Sequence, residues 1–147
     1  MFRPRVIPVL LLKDNILVKS KNFKSFRYIG DPINAVKVFN DLKADELVFL
    51  DIDATKENRT ISKDLVKLVG EEANMPFAVG GGIRSLEDIQ EIISRGAEKV
   101  ILNSYAIENP EFIRNASDDF GSSTIVVCMD VKKKFLGKNV VWTINGS

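Results

Sequence analysis

Short apolar runs at residues 6–12, 46–51, 77–80, 99–103 and 124–131 alternate with stretches of helical period, and this alternation constrains the fold more than any other feature of the chain. A continuous apolar run of that length, bounded by turn residues, is what a strand buried on both faces of a parallel sheet requires. Four helices fit between the runs. The first opens at Asp31-Pro32, a side-chain cap followed by proline at the first helical position, and places Ile33, Val36, Phe39 and Leu42 along one stripe. The second follows Ser62 and presents Leu65, Val66, Leu68 and Val69. The third carries the capping pattern Ser85-x-x-Asp88, an apolar face of Leu86, Ile89, Ile92 and Ile93, and Gly96 as a stop. The fourth runs from Asn109-Pro110 to Phe120 and ends at Gly121. Strand and helix therefore alternate from the first strand to the fifth, which calls for a parallel sheet with right-handed crossovers. Residues 140–144 read as an extra short strand in the loop after the fifth.

Two all-parallel architectures compete for such a pattern, the open doubly wound sheet and the eight-stranded barrel, and both carry their chemistry at the C-terminal ends of the strands. A dinucleotide-binding sheet needs glycines after its first strand, where this chain has Leu12-Lys13-Asp14-Asn15. The glycines cluster instead after the third strand, as Gly80-Gly81-Gly82, just ahead of a capped helix. The expectation is an α/β fold of the (βα)8 TIM-barrel type, with residues 1–147 forming the N-terminal part of one barrel domain, about five parallel strands and four helices.

Composition narrows the chemistry. With 147 residues, 45% hydrophobic and 28% charged, the chain can bury one core. Its 21 Lys and Arg against 20 Asp and Glu leave a net charge of +1, which gives no electrostatic basis for binding nucleic acid or an anionic membrane. Histidine is absent, so a Ser-His-Asp triad, a His-ligated metal and an imidazole proton shuttle are excluded within these residues. Acid-base work falls to carboxylates, lysines or tyrosines. The single cysteine, Cys128, cannot form an internal disulfide or a Cys-rich zinc site, which fits a reducing compartment and points to the cytoplasm. Arg3 and Arg5 ahead of an apolar run superficially suggest a signal peptide, but the run contains Pro8, meets Lys13-Asp14 without a small-residue cleavage site and is too short to cross a bilayer.

Strand alternation decides which side chains share a face. Val126, Cys128 and Asp130 form one row in the fifth strand, and Leu47, Phe49 and Asp51 another in the second, so a carboxylate ends each. At the rim of a barrel such a carboxylate serves chemistry, or else it caps the following loop by accepting backbone N–H bonds. The first reading is favoured for Asp130 and the two are balanced for Asp51, while Asp53 reads as a solvated loop charge. The Val79-Gly80-Gly81-Gly82-Ile83 segment lets bare amides approach an anion ahead of a helix N-terminus, and Asn103-Ser104, equivalently placed after the fourth strand, adds side-chain donors. Lys19 lies among Lys13, Lys21, Lys24 and Arg27 in what reads as a long, solvated loop after the first strand, of a length that serves as a lid. Cys128, one layer below Asp130, reads as a core filler.

Taken together, Arg5-Val6-Ile7-Pro8, Gly30-Asp31-Pro32, the run from Asp45 to Asp51, the run from Pro76 to Ile83 and Arg95-Gly96-Ala97-Glu98-Lys99-Val100 resemble the cyclase subunit of imidazole glycerol phosphate synthase along the whole chain. The resemblance implies a lyase with a (βα)8 barrel and no cofactor or metal. It implies a glutaminase (glutamine amidotransferase) subunit docked at the N-terminal face and ammonia passing through the barrel. At the C-terminal face the ammonia would meet a phosphoribosyl substrate, giving imidazole glycerol phosphate and an aminoimidazole carboxamide ribotide for histidine and purine synthesis. Residue by residue it makes Lys19 a substrate contact and Gly82, Asn103 and Ser104 phosphate contacts, and Asp51, a candidate from alternation alone, is grouped with them as a substrate or phosphate contact. Asp130 becomes the general acid-base group, and Arg5, Glu46 and Lys99 members of a charged ring that gates ammonia. Arg5 shares a face with Ile7 and Val9, and Lys99 with Ile101 and Asn103. Glu46 has the wrong parity relative to Asp51 and needs a bulge, or a place in the turn before the strand.

Two departures stand out. The family's second catalytic aspartate, at the end of the first strand, is matched by Leu11, which can neither give nor take a proton. The residues also stop after the fifth strand, so half of a barrel site is missing and residues 1–147 alone are expected to be inactive. Leu11 and the wording around Arg27-Tyr28-Ile29-Gly30 resemble a divergent branch whose barrel delivers ammonia to a sugar amidotransferase making acetamidino sugars for surface polysaccharides. A true histidine-pathway cyclase that tolerates Leu11, and a non-catalytic phosphosugar-binding or scaffold protein, are the alternatives.

Overall fold

A computed structural model describes residues 3–21, 24–133 and 137–142. The strands are β1 (Val9–Lys13), β2 (Ile16–Lys21), β3 (Lys24–Gly30), β4 (Leu47–Asp51), β5 (Phe77–Gly80), β6 (Lys99–Leu102), β7 (Ile125–Val127), β8 (Asp130–Lys133) and β9 (Asn139–Trp142). The helices are α1 (Pro32–Asp41), α2 (Lys63–Glu72), α3 (Leu86–Ser94), α4 (Ser104–Glu108) and α5 (Pro110–Phe120). Seven strands form one sheet in the order β3-β2-β1-β4-β5-β6-β7, and β8 and β9 form a separate antiparallel pair. The expected five-strand parallel unit is β1, β4, β5, β6 and β7, each hydrogen-bonded in parallel to the next. The sheet is not closed, as part of a TIM barrel would be.

The helix starts follow the local chemistry. Asp31 accepts the Asn34 N–H at 2.9 Å, Ser62 that of Leu65 at 3.3 Å and Ser85 that of Asp88 at 3.1 Å. The Asp88 carboxylate reaches back to the Arg84 N–H at 3.3 Å, one residue earlier than the capping-box pattern predicts. Between helices and sheet lies one core, in which Leu12, Phe49, Val79, Val100 and Leu102 meet Val36, Val66, Ile89, Ile92, Phe112 and Ala116. Each large aliphatic or aromatic side chain taken from water there contributes about 1.5–3 kcal/mol. Two expected core residues are outside it: Leu68 is 51% exposed on α2, and Leu42, beyond the last residue of α1, is 69% exposed.

The segment after β1 is not an irregular loop. Asp14 and Asn15 both adopt left-handed backbone (φ 50° and 60°), as a two-residue turn of primed type demands, and β2 returns antiparallel with Leu11 opposite Val18. β3 then pairs with β2, so the lysine-rich stretch is a hairpin carried on the far edge of β1. The fifth run divides. β7 stops at Val127, and Asp130–Lys133 leaves the main sheet to pair with Asn139–Trp142. That pair accounts for residues 140–142 of the extra strand expected at 140–144, whose last two residues lie outside the described ones. The first run is less buried than a two-faced strand should be, with Val6 65% and Val9 56% exposed, and its ladder begins only at Val9.

The two faces of the sheet differ in what covers them. Leu47 and Phe49 point into the helix-covered core, and the alternate residues Val48 and Leu50 point the other way. A Cβ on Gly80 would touch Leu50 Cδ2 and Ile101 Cβ, which puts Ala78, Gly80, Lys99 and Ile101 on that second, inner face.

Candidate functional site

The inner face is bounded by a charged cluster at the N-terminal ends of its strands. Glu46 stands one residue before β4, in the turn, with no register irregularity between β4 and β5. Its parity is that of Val48 and Leu50, so it faces inward without a bulge. The apparent conflict with Asp51 dissolves because Asp51 belongs to the other, helix-covered row. The Glu46 side chain is 5% exposed and is bridged by two cations: Arg5 Nη2 donates to Oε2 at 2.5 Å, and Lys99 Nζ donates to both oxygens at 2.9 Å. The Arg5 side chain is 54% exposed and that of Lys99 21%, so the carboxylate is buried beneath its partners. A buried carboxylate stripped of a partner costs several kcal/mol, which makes the three residues one unit. Val6 N–H adds a 2.7 Å bond to Asp45 Oδ2, holding the N-terminal segment against the same turn.

At the C-terminal ends the groups are arranged differently. Asp130, exposed at the start of β8, accepts a hydrogen bond from Asn103 Nδ2 at 3.0 Å, and Ser104, buried, begins the short helix α4. Asn103 and Asp130, 27 residues apart in sequence, are thus one polar pair. The segment between β7 and β8 brings them together: Cys128 N–H bonds the Leu102 carbonyl at 2.8 Å, closing the chain against the end of β6. Cys128 is half-buried, and that burial first, the nearby Asp130 charge second, raises its thiol pKa above the ordinary range. A thiol held protonated suits packing better than nucleophilic chemistry.

Gly81 and Gly82, following β5, have φ of +133° and +66°. A Cβ on Gly82 would stand 1.8 Å from the Arg59 carbonyl oxygen, and one on Gly81 would stand 2.8 Å from Asp51 Cβ. These glycines are required by the close approach of the loop that follows β4, whatever else they serve.

Asp51 is the centre of that loop. Its Oδ1 accepts the N–H groups of Asp53 and Ala54, both at 3.1 Å, and its Oδ2 accepts Arg59 Nη1 at 2.5 Å. The side chain is fully buried on the helix-covered face, so the carboxylate caps its own loop and is closed to a ligand. Asp53 is no solvated charge: it is 9% exposed and paired with the ammonium of Lys13, whose pKa that hydrogen bond raises. Arg59 is not singled out by the sequence, and Lys13 reads there only as one of a run of loop cations. The signal available for Arg59 was a lone arginine ahead of the Ser62 cap, in a loop that a buried aspartate opens.

Lys19 lies exposed on β2, opposite Arg27 of β3. Among the described residues no hydrogen bond or ion pair links it to Asp130, Asn103 or the glycine loop. Leu11, on the inner face near the end of β1, stands opposite Leu50. An apolar side chain therefore occupies the place where the resemblance expects a carboxylate. Among the described residues no helix is long and apolar enough to cross a membrane.

Residues 5–146 match the family profile described as histidine biosynthesis protein. Over the whole chain the sequence is 45% identical to a Vibrio vulnificus protein with the provisional name imidazole glycerol phosphate synthase subunit hisF3, covering 57% of that protein. It is 47% identical to the imidazole glycerol phosphate synthase subunit HisF of Lactococcus lactis over 91% of the chain and 52% of the relative. The subunit of the same name from an Exiguobacterium strain is 47% identical over 99% of the chain and 57% of the relative. The chain thus spans a little over half the length of these relatives. With its parallel strands, its glycine loop after β5 and this likeness from end to end, the chain belongs to the histidine biosynthesis protein family and resembles the N-terminal part of its imidazole glycerol phosphate synthase subunits.

Proposed function

We propose that the chain is the N-terminal part of a cyclase-type barrel that receives ammonia at one end and uses it at a phosphosugar site at the other. The observation that carries this reading is the placement of two polar clusters at opposite ends of one sheet face. Arg5, Glu46 and Lys99 lie at the N-terminal end, and Asn103, Ser104, Asp130 and the glycine loop at the C-terminal end. Between them the inner face carries Val48, Leu50, Ala78, Gly80 and Ile101, small or apolar groups along which a neutral molecule such as ammonia passes without being held.

In this reading Lys99 and Arg5 hold the Glu46 carboxylate in place, and the three gate entry from a glutaminase subunit on that face. Backbone amides at Gly82 and side-chain donors of Asn103 and Ser104 hold a phosphate, while Lys19 on the hairpin closes over the substrate. Asp130 moves the proton. Asn103 occupies Oδ2, which leaves Oδ1 to face the reacting nitrogen. With Leu11 in place of a second carboxylate, the proton has no partner group on the opposite side of the ring being formed, and cyclisation with cleavage is slow. The activity that remains is ammonia delivery, with acetamidino-sugar synthesis through a sugar amidotransferase as its destination. That branch rests on resemblance. A histidine-pathway cyclase is the second reading, favoured by the names of the relatives. The test is a full-length protein assayed with a glutaminase and a phosphoribosyl substrate. Raised glutamine turnover without cyclised product supports ammonia delivery, cyclised product at the rate of an aspartate-bearing cyclase supports the second reading, and neither response leaves a non-catalytic phosphosugar-binding protein.

A further inference from the structure

Arg59 makes a set of contacts larger than a surface arginine needs. Its Nη1 donates to Asp51 Oδ2 at 2.5 Å and to the Thr60 carbonyl at 3.3 Å, its Nη2 to Asp51 Oδ1 at 3.4 Å, and its Nε to Glu57 Oε2 at 2.6 Å. Four of its five N–H donors are therefore occupied within the loop, which leaves little of the guanidinium for a ligand. The hydrogen bond to Asp51 is the leading reason that its pKa is raised further still, so the cation is permanent. Asp51 itself is the last residue of β4, with its side chain wholly buried. The pair thus fixes residue 59 to the end of a central strand.

What lies on the other side of residue 59 is the glycine loop. The Arg59 carbonyl occupies the space a Gly82 side chain would need, Ile61 N–H donates to the Gly81 carbonyl at 2.9 Å, and Arg59 N–H donates to the Ala54 carbonyl at 3.0 Å. The loop from Asp51 to Ile61 is closed on itself and pressed against residues 81 and 82. We infer that Arg59, clamped to Asp51, is a positioning residue that holds the Gly81-Gly82 backbone in the conformation that receives a phosphate. This rests on the reading of Gly82 as a phosphate contact. It gives Asp51 a role that its burial allows: it acts through Arg59 and touches no ligand. Oxyanion-binding amides are effective only when aimed, and a displacement of about 1 Å costs up to about a hundredfold.

The test uses the full-length protein and inorganic phosphate as the probe, with Arg59→Met and Arg59→Lys variants. Phosphate affinity is read by calorimetry, and amide exchange by mass spectrometry. Arg59→Met should weaken phosphate binding about tenfold or more and speed exchange in the segment from Gly81 to Ile83, with protection of α3 and α5 unchanged. Arg59→Lys, which keeps the charge but not the fork, should recover only part of the affinity. In turnover assays the change should fall on KM, with kcat within about threefold. Arg59→Met with wild-type phosphate affinity and wild-type exchange in the glycine loop overturns the inference. If Arg59→Met does not fold, Glu57→Ala decides: it removes the acceptor of Arg59 Nε at an exposed position, a two- to threefold loss of phosphate affinity supports the clamp, and no loss overturns it. Absence of saturable phosphate binding by the unsubstituted protein defeats the phosphate reading itself, and this inference with it. Binding that is intact and insensitive to Arg59 and Glu57 defeats the clamp alone.

Discussion

In the proposed reading, a single carboxylate in place of two separates this chain from an aspartate-bearing cyclase. Leu11 stands opposite Leu50 on the inner face, with no proton to give, which on that reading leaves the acid-base work to Asp130. In a full-length protein Leu11→Asp should raise cyclisation by about a hundred- to ten-thousand-fold. An unsubstituted protein that already cyclises at the faster rate would sink that expectation. Cys128 offers a second residue-scale test. Its thiol titrates above the ordinary range, mainly through burial and secondarily through Asp130, so alkylation at pH 8 should run several-fold slower than for a free thiol and should climb as pH rises past the ordinary thiol pKa. Asp130→Asn removes the smaller cause and should quicken alkylation modestly. A profile indistinguishable from free cysteine would contradict the packing described for the turn between β7 and β8. At this scale the sequence was readable where parity alone decides. Leu47, Phe49 and Asp51 do share a row, and the wrong parity read for Glu46 came from measuring it against that row, when Glu46 sits in the turn on the parity of Val48 and Leu50. Which side of the sheet a row faces depends on where the helices pack, and alternation carries no information about that, so the balance at Asp51 between site and loop cap stayed open until its wholly buried carboxylate was found capping its own loop.

The elements show a similar division. Helix starts were legible because a cap is local: Asp31, Ser62 and Ser85 each accept the N–H three residues on. The hairpin was not, because a run of lysines outweighs two short alternating segments in any reading by composition, although Asp14-Asn15 is a pair that tolerates left-handed backbone. The division of the fifth run was hidden for another reason, since the ladder from Asp130 to Lys133 depends on pairing with Asn139–Trp142 rather than on its own composition. The turn is the place to test the hairpin. Asn15→Gly should be neutral or slightly stabilising, whereas Asn15→Val forces a β-branched residue to positive φ and should cost about 1–2 kcal/mol in urea denaturation. Equal stability of the two variants would mean that the turn is not of the primed type. Because β2 and β3 ride on the edge of β1, the same loss should loosen Lys19 against the rest of the sheet.

The whole sheet is open, and its exposed apolar groups follow from that. Ile7, Val9 and Val126 are 39, 56 and 37% exposed, and among the described residues β7 has β6 as its only ladder partner. On the other flank the hairpin covers β1 from Leu11 to Lys13 only. Phe49, by contrast, is 1% exposed beneath the helices, so the sheet keeps a complete core on that side. Residues 1–147 expressed alone should therefore self-associate through the β7 edge or bind a hydrophobic dye, in light scattering and fluorescence, and should lack cyclase activity. A compact, active monomer with no dye signal would contradict the half-barrel account. At this scale the proposal is that Arg5, Glu46 and Lys99 gate ammonia into a passage along the inner face. It is tested most directly by measuring free ammonia in bulk solvent per glutamine hydrolysed, for a full-length protein with its glutaminase and for the Lys99→Ala variant. The prediction is that Lys99→Ala raises the leaked fraction severalfold while the partner still binds. An unchanged fraction at unchanged partner affinity would contradict it, and would leave the cluster as an ordinary charged surface.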